Sequence, residues 1–452
     1  MCPPERSLHM HGFPLRLLIL ALALCLLPAC ARYSRLPLDA NARYAASVAA
    51  LEGAPTSQAP LGEAEVSQLI LQNNPSLKLA ALRRAEARSQ AESGALLPNP
   101  SFSGSLGYLL SGDGNATAWT AALTEPVNAW IILRARRDEA KAATAEVDAS
   151  LAWEAWQTLA RGRQLVADVV LGDQLLDAQS QLASTLQRQW TTVAAAQGRG
   201  DLDATTTAPI AQAASEAAQA AAETERGVAA QRRELRALMG LSFDAPLPLA
   251  PLAPVVPLDD HAATAALQTL PRHRPDLVAL AMGYDAQDAR FRAAVLSQFP
   301  ALSVGYAASQ DNSRVKNGGP AVTIDLPIFD QGRVQADAEG VTRQRLHEEY
   351  SQRVADAHDE VRALMAAQHV AERQLAQATQ ASTLTADRTD GAAAALDRGD
   401  LDRQAYTDLS VASLSRRVAV LRTELAVREQ RIGLDTLLGI GMPDIASDKD
   451  IR

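Results

Sequence analysis

Five residues occur twice in this chain. Arg199-Gly200-Asp201-Leu202-Asp203 is matched by Arg398-Gly399-Asp400-Leu401-Asp402, 199 residues further on. Glycine after a helix stops it, and aspartate before a helix starts it. Each copy therefore reads as a tight tip joining two helices. Other landmarks keep nearly the same offset. Asn74-Pro75-Ser76-Leu77 is matched by Arg274-Pro275-Asp276-Leu277, and Gly240 by Gly439. Separate landmarks that agree on one offset mark an internal duplication, so the chain must fold as two copies of one plan.

The plan begins near Gly62. A short helix over 64–72 is broken at Asn73-Asn74-Pro75, and a second helix over 76–97 is stopped by Pro98-Asn99-Pro100. Two strand-like runs follow, 102–110 and 117–125, joined by a Gly- and Ser-containing turn. Helix then runs over 127–197, turns at the first tip, and returns over 203–239. Prolines 246, 248, 251, 254 and 257 make an extended connector. The second half repeats the order: helices 261–270 and 277–298, strands 302–309 and 321–326, a loop over 310–319, a long helix to 396, the second tip, and a helix to 438. The domains expected are a signal segment 1–29, an N-terminal tether 30–61, a first repeat 62–240, a linker 241–260, a second repeat 261–443 and a tail 444–452.

The long helices carry coiled-coil spacing. Leu346, Tyr350, Val354, Ala357, Val361 and Leu364 form one seam, and Leu414, Val418, Leu421 and Leu425 another. A helix over 333–396 reaches on the order of 100 Å at 1.5 Å per residue, a length for crossing a compartment. The formal charge of −9 argues against nucleic acid as a main partner.

At the N-terminus, Arg6 and Arg16 precede an apolar run over 17–27, the size of a signal-peptide core and too short to span a bilayer. It ends in Leu27-Pro28-Ala29-Cys30, which resembles a bacterial lipobox with Cys30 as the lipidated residue. Ala31, not Asp, follows it. An ordinary signal peptide cleaved nearby is the alternative. Cys2 and Cys25 lie in the removed segment, so the mature chain has no thiol pair for a disulfide or a thiolate metal site.

Runs of about nine residues suit tilted strands crossing a membrane. A closed transmembrane barrel needs at least about eight strands, and lipid does not tolerate open sheet edges. One chain offers four. Several copies must therefore combine, although strand count does not fix how many.

The order of these features resembles the outer-membrane efflux channel family, the TolC-like outer-membrane factors, over roughly 62–443. The resemblance rests on the duplicated plan, on Leu326-Pro327-Ile328-Phe329 with Gly332 after the second strand pair, on the two Arg-Gly tips, and on the lipobox. It implies a mainly α fold with a small β part: duplicated antiparallel coiled-coil hairpins plus four membrane strands, forming a homotrimeric β-barrel and α-barrel. It further implies a lipid-anchored passive exit channel of a tripartite, RND-type efflux system. Such a duct exports small toxic solutes, metal cations or drugs, from periplasm to exterior. Its partners would be outer-membrane lipid, a periplasmic adaptor and an inner-membrane pump. The lead after Cys30 departs from the drug-efflux lipoproteins and tilts towards the cation-efflux branch.

By the same resemblance, Arg199, Gly200, Asp201, Leu202, Arg398, Gly399, Asp400 and Leu401 are adaptor-contact tips, beside the plainer reading as helix caps. Asp408 lines a periplasmic aperture, beside the plainer reading as a solvated helix face. Pro209 should disturb the helix after the first tip. Its counterpart is Asp408, so the two tips need not be equivalent. Trp119, Trp130, Tyr108 and Tyr306 are candidates for an interface girdle or for packing. His347, His358 and His369 recur every eleven residues on one helix face, but rungs ~16 Å apart cannot share one ion. No phosphate loop, nucleophile elbow or paired Cys/His site supports an enzyme or a cofactor. The alternative function is a lipid-anchored periplasmic coiled-coil adaptor without a pore.

Overall fold

The computed structural model describes residues 33–41, 44–56, 59–114, 116–326, 328–329 and 331–442. The signal segment, Cys30 and the tail beyond Met442 lie outside the described residues. Contacts divide the chain into two units, 1–44 and 45–452. In the first, residues 33–40 are exposed and without regular structure. All that follows concerns the second.

The first half holds α1 (Glu63–Asn73), α2 (Pro75–Gly94), β1 (Ser101–Gly107), β2 (Ala118–Pro126), α3 (Asn128–Gly198) and α4 (Ala204–Leu238). The second holds α5 (Asp260–His273), α6 (Pro275–Leu296), β3 (Ala301–Gln310), β4 (Lys316–Asp325), α7 (Arg333–Arg398) and α8 (Arg403–Leu438). The same order occurs twice, helix–helix–strand–strand–long helix–helix. With 71 and 66 residues, α3 and α7 are each roughly 100 Å long.

The four strands form one antiparallel sheet in the order β1-β2-β3-β4, so β1 and β4 are its edges. The helices continue this order. α2 enters β1, α3 leaves β2, α6 enters β3 and α7 leaves β4. Accordingly α2 packs on α3, α3 on α6, and α6 on α7.

Two apolar cores lie where the short helices meet the long ones. One gathers Leu51, Leu61, Val66, Leu69, Ile70, Leu165, Val166, Leu235 and Met239. The other gathers Leu258, Leu267, Leu270, Leu277, Val361, Leu434 and Leu438. A smaller cluster of Leu171, Leu175, Val418 and Leu421 joins α3 to α8. The Trp156 indole nitrogen donates to the Thr436 carbonyl across the same pair of helices at 2.9 Å.

Three features differ from the sequence expectation. Part of the polar lead is docked: Ala45 and Leu61 pair in parallel with Leu241 and Leu249 of the proline-rich connector, and Leu51 and Leu61 enter the core. The loop expected over 310–319 is shorter, because 316–320 already belong to β4. Pro320 is tolerated there because β4 is an edge. Pro209 does not break α4. It lies within the first two turns, where one missing amide costs a single intrahelical bond, and the Thr207 hydroxyl donates to the Ala204 carbonyl and to Gln197 nearby.

The helix breaks repeat in position but not in chemistry. Buried Asn74 caps α2 by accepting from the Leu77 amide at 3.0 Å, and its amide nitrogen donates to the Leu238 carbonyl at 2.8 Å. In the second half the fully buried Arg274 stands at this place, paired with Asp276 at 2.8 Å and stacked over Trp153 at 5.2 Å. Asn74→Ala removes a cap worth about 1 kcal/mol and leaves a buried carbonyl unpaired, a further ~1–3 kcal/mol. The expected outcome is a lower thermal midpoint of the helical circular-dichroism signal.

Candidate functional site: an amphipathic strand sheet and two helical tips

Side chains on a strand alternate between faces, so register alone sorts the sheet. One face carries the row Phe102, Leu123, Tyr306 and Pro320, flanked by Gly104, Ala121, Ala308 and Gly318. Towards the helices it continues with Val304 and Val322, then Leu302 and Ile324. The other face carries Ser101, Thr124, Gly305 and Ala321, then Ser103, Ala122, Ala307 and Gly319, then Ser105, Thr120, Ser309 and Asn317. Here hydroxyls pair across strands, Ser101 with Thr124 at 2.7 Å and Ser105 with Thr120 at 2.8 Å.

Among the described residues nothing covers the apolar face. Phe102 is 74% exposed, Tyr306 59% and Val322 63%. Its polar residues are Gln310 and Lys316 beside the loops and Glu125, which shares the row of Val304 and Val322 towards the helices. From Leu302 to Ala308 the band measures about 20 Å along the strand. A face of this kind suits hydrocarbon, and the hydroxyl face suits water.

Of the aromatic candidates, Trp119 lies in the end row with Leu106 and Gln310, and Trp130 lies exposed in the first turn of α3. They mark the two ends of the band. Tyr108 follows β1 and is exposed, whereas Tyr306 sits in the middle of the band. Exposed Phe299, beside β3, and Phe329, after β4, stand at the helix end and were not among the girdle candidates. The prolines next to them were the available signal.

At the far ends of the long helices the two tips are built alike. Gly200 has φ 85° and Gly399 φ 78°, the left-handed region in which a side chain is strained. The Asp201 amide donates to the Ala196 carbonyl at 3.0 Å, and the Asp400 amide to the Ala395 carbonyl at 2.9 Å. This is the Schellman closure of a helix C-terminus. Arg199 Nε donates to Asp201 at 2.9 Å, and Arg398 Nε to Asp400 at 2.9 Å. Asp203 and Asp402 each cap the returning helix at 2.8 Å. The charged tip residues thus neutralise one another locally, and Leu202 is left exposed between them while Leu401 is half-buried.

Asp408 is exposed on α8 and accepts from Gln404 at 2.9 Å and from Gln189 of α3 at 3.4 Å. It bridges the two hairpins near their tips. The histidines do not act together. His369 meets Asp260 at 2.8 Å and His347 packs edge-on against Tyr284. Among the described residues no group of three His, Cys, Asp or Glu is placed to hold a metal.

One charged site was not anticipated. Asp168 of α3 is buried, its Oδ1 has no hydrogen-bond partner, and the carboxylate of Glu429 on α8 lies close enough to act on it. Burial, then the Glu429 carboxylate, push its pKa up to about 7; Arg161 opposes them and is itself held by Glu234 at 2.7 Å. The signal in the sequence is a lone aspartate inside Leu165-Val166-Ala167-Asp168-Val169-Val170.

No protein-family model matches the sequence, and no curated protein does. Solved structures match most of it. The outer-membrane channel OprN is 14% identical, over 91% of this chain and 99% of that one, with a TM-score of 0.67. The Campylobacter jejuni outer-membrane channel CmeC is 15% identical, over 90% and 94%, at 0.66. The open-state Neisseria gonorrhoeae outer-membrane channel MtrE is 17% identical, over 90% and 97%, at 0.66. The chain has the fold of the TolC-like outer-membrane channels, mainly helical with a small antiparallel sheet.

Because the folded-state pKa of Asp168 lies above its ordinary value, the stability tied to its protonated form is complete only below the ordinary carboxylate pKa of about 4 and is lost progressively as pH rises to about 7. Asp168→Asn keeps a neutral group there. The variant's advantage in thermal midpoint over the parent should be smallest below pH 4, intermediate at pH 5 and largest at pH 8. Equal midpoints at pH 8 would refute a protonated Asp168.

Proposed function

We propose that this chain is the passive outer-membrane exit duct of a tripartite, RND-type efflux system. The observation that carries the reading is the uncovered amphipathic sheet, apolar on one face and hydroxyl-lined on the other, joined directly to helices roughly 100 Å long. In a membrane the apolar face meets lipid and the hydroxyl face lines water. The two open edges require closure by further copies. Three copies give twelve strands, a homotrimer. The function is transport without an active site, so the chain is not an enzyme and energy comes from the partner pump.

In this reading the two halves, 62–240 and 261–443, are repeats, and acylated Cys30 anchors the chain to the outer membrane. The tips at Arg199, Gly200, Asp201 and Leu202 and at Arg398, Gly399, Asp400 and Leu401 meet a periplasmic adaptor. Asp408 faces the aperture, where a ring of carboxylates attracts cations. Its bond to Gln189 couples the aperture to the neighbouring hairpin. The exported solutes are small toxic species, metal cations or drugs.

Single-channel recording of the purified protein in a planar bilayer tests this. Discrete cation-preferring pores are expected, with Asp408→Ala shifting conductance and weakening the preference. Pores unchanged by the substitution would remove Asp408 from the aperture. A membrane-inserted oligomer that never conducts would favour the pore-less adaptor. The two sheet faces give a second prediction. Val322→Arg, on the apolar face, costs ~2–4 kcal/mol per strand at the bilayer midplane and should abolish outer-membrane insertion. Thr323→Arg, one residue on, should insert normally and lower conductance.

A further inference from the structure

We propose that Asp325 is a second charge filter of the duct. Three copies set a ring of three carboxylates where the strands join the helices, and the ring favours cations over anions in the lumen. This rests on the reading of the sheet as part of a water-filled, three-copy barrel, and it names a residue that sets the ion preference of that barrel. The register of the strands carries it. On the face that bears the hydroxyls, the strand residues are serine, threonine, alanine, glycine, asparagine and proline, with one exception. The exception is Asp325, paired with Ala301 in the last row before the helices.

Its neighbours fix Asp325 on that side. Thr323 and Asp325 share one face of β4, while Val322 and Ile324 share the other. A slip of one residue would place the carboxylate among the apolar side chains, so the register that makes the apolar band also puts the charge towards water. Ala301, Ser303 and Thr323 around it are short, and Asp325 is exposed. Among the described residues its carboxylate meets no hydrogen-bond donor and no cation, so nothing in the chain offsets its charge. The far end of the sheet differs. Asp113, Asp311, Arg314 and Lys316 stand there, two of each sign, and give no net bias.

Size decides whether one carboxylate per copy is felt. Twelve strands ~4.8 Å apart, tilted by ~40°, give a circumference of about 75 Å and a backbone diameter of about 24 Å. The short side chains of the inner face leave a lumen about 14 Å wide, so its axis lies about 7 Å from the wall. The Debye length is about 10 Å at 0.1 M salt and about 3 Å at 1 M. Three screened unit charges at that distance in water enrich a monovalent cation on the axis about fourfold at 0.1 M and only about 1.3-fold at 1 M. Asp408 stands at the other end of α7, about 90 Å away along the helix. Many Debye lengths separate the two residues, so their effects on ion preference are independent.

Reversal potentials of the purified full-length protein in planar bilayers test this, under potassium chloride gradients near ~0.1 M and near ~1 M. Asp325→Asn and Asp325→Ser remove the charge, the second matching the rest of the face. Asp325→Glu keeps it. Each is placed in the parent and in Asp408→Ala, so that a filter at the tips cannot mask the effect. At low salt, loss of the charge should lower the potassium-to-chloride permeability ratio several-fold. At high salt the ratio should change little, and Asp325→Glu should keep the parent's value. Neutral variants that conduct with the parent's low-salt ratio in both backgrounds would overturn the proposal and leave the duct standing. So would a loss of equal size at both salts, or one that Asp325→Glu shares, because neither is electrostatic. A membrane-inserted parent oligomer that never conducts would sink the duct reading and this proposal with it.

Discussion

An antiparallel sheet of four strands leaves a row of backbone amides and carbonyls along each edge. In water those groups are solvated at little cost. In hydrocarbon each costs several kcal/mol if left unpaired, so a spanning sheet must close on itself. Here the exposed face that would meet lipid carries Phe102, Leu106, Leu123, Val304, Tyr306, Val322 and Ile324, while β1 and β4 have no further strand neighbour among the described residues. Everything proposed about assembly descends from that conflict between an apolar face and two open edges.

The helices obey the same order because each grows out of a strand or runs into one. Strand neighbours thereby become helix neighbours, and α3 lies between α2 and α6 just as β2 lies between β1 and β3. Far from the sheet the chain is held by local cores where short helices wedge against long ones, and by the docked lead at Ala45 and Leu61. Between cores the long helices rely on small residues and paired charges such as Arg161 with Glu234 and Arg84 with Asp148. Asp168 is the exception, a carboxyl held at a helix interface with burial favouring its protonated form. The same helices end in tips whose charges are internally paired, which leaves Leu202 as an exposed apolar contact of the first tip.

Element types and their order were legible because their signals are local. Prolines at 75, 98, 100, 275 and 300 and glycines at 200, 240, 399 and 439 act through the dihedral angles of one or two residues, and the helices respect them. Strand lengths were less legible. β1 is shorter than its hydrophobic run, and β4 absorbs Gly318 and Gly319, which a local reading assigns to a loop. Pairing with β3 holds these residues extended, and no property of their own sequence records that. The candidate site divided in the same way. The tip closure was readable from Gly and Asp, whereas the Arg199–Asp201 and Arg398–Asp400 pairs and the Asp408–Gln189 contact were not.

By itself the sequence determined the duplication, the helical hairpins with their tips, and the four strand segments, because periodicity and chain-breaking residues act over a few positions. Only the tertiary structure decided which strand faces are apolar together, since that depends on register between segments as distant as Phe102 and Tyr306. It alone placed Asp168 beside Glu429, buried the lead at Leu51 and Leu61, and set Asp325 on the face that carries the hydroxyls. Those relations join residues far apart along the chain, and such contacts are fixed by packing and pairing rather than by any local propensity.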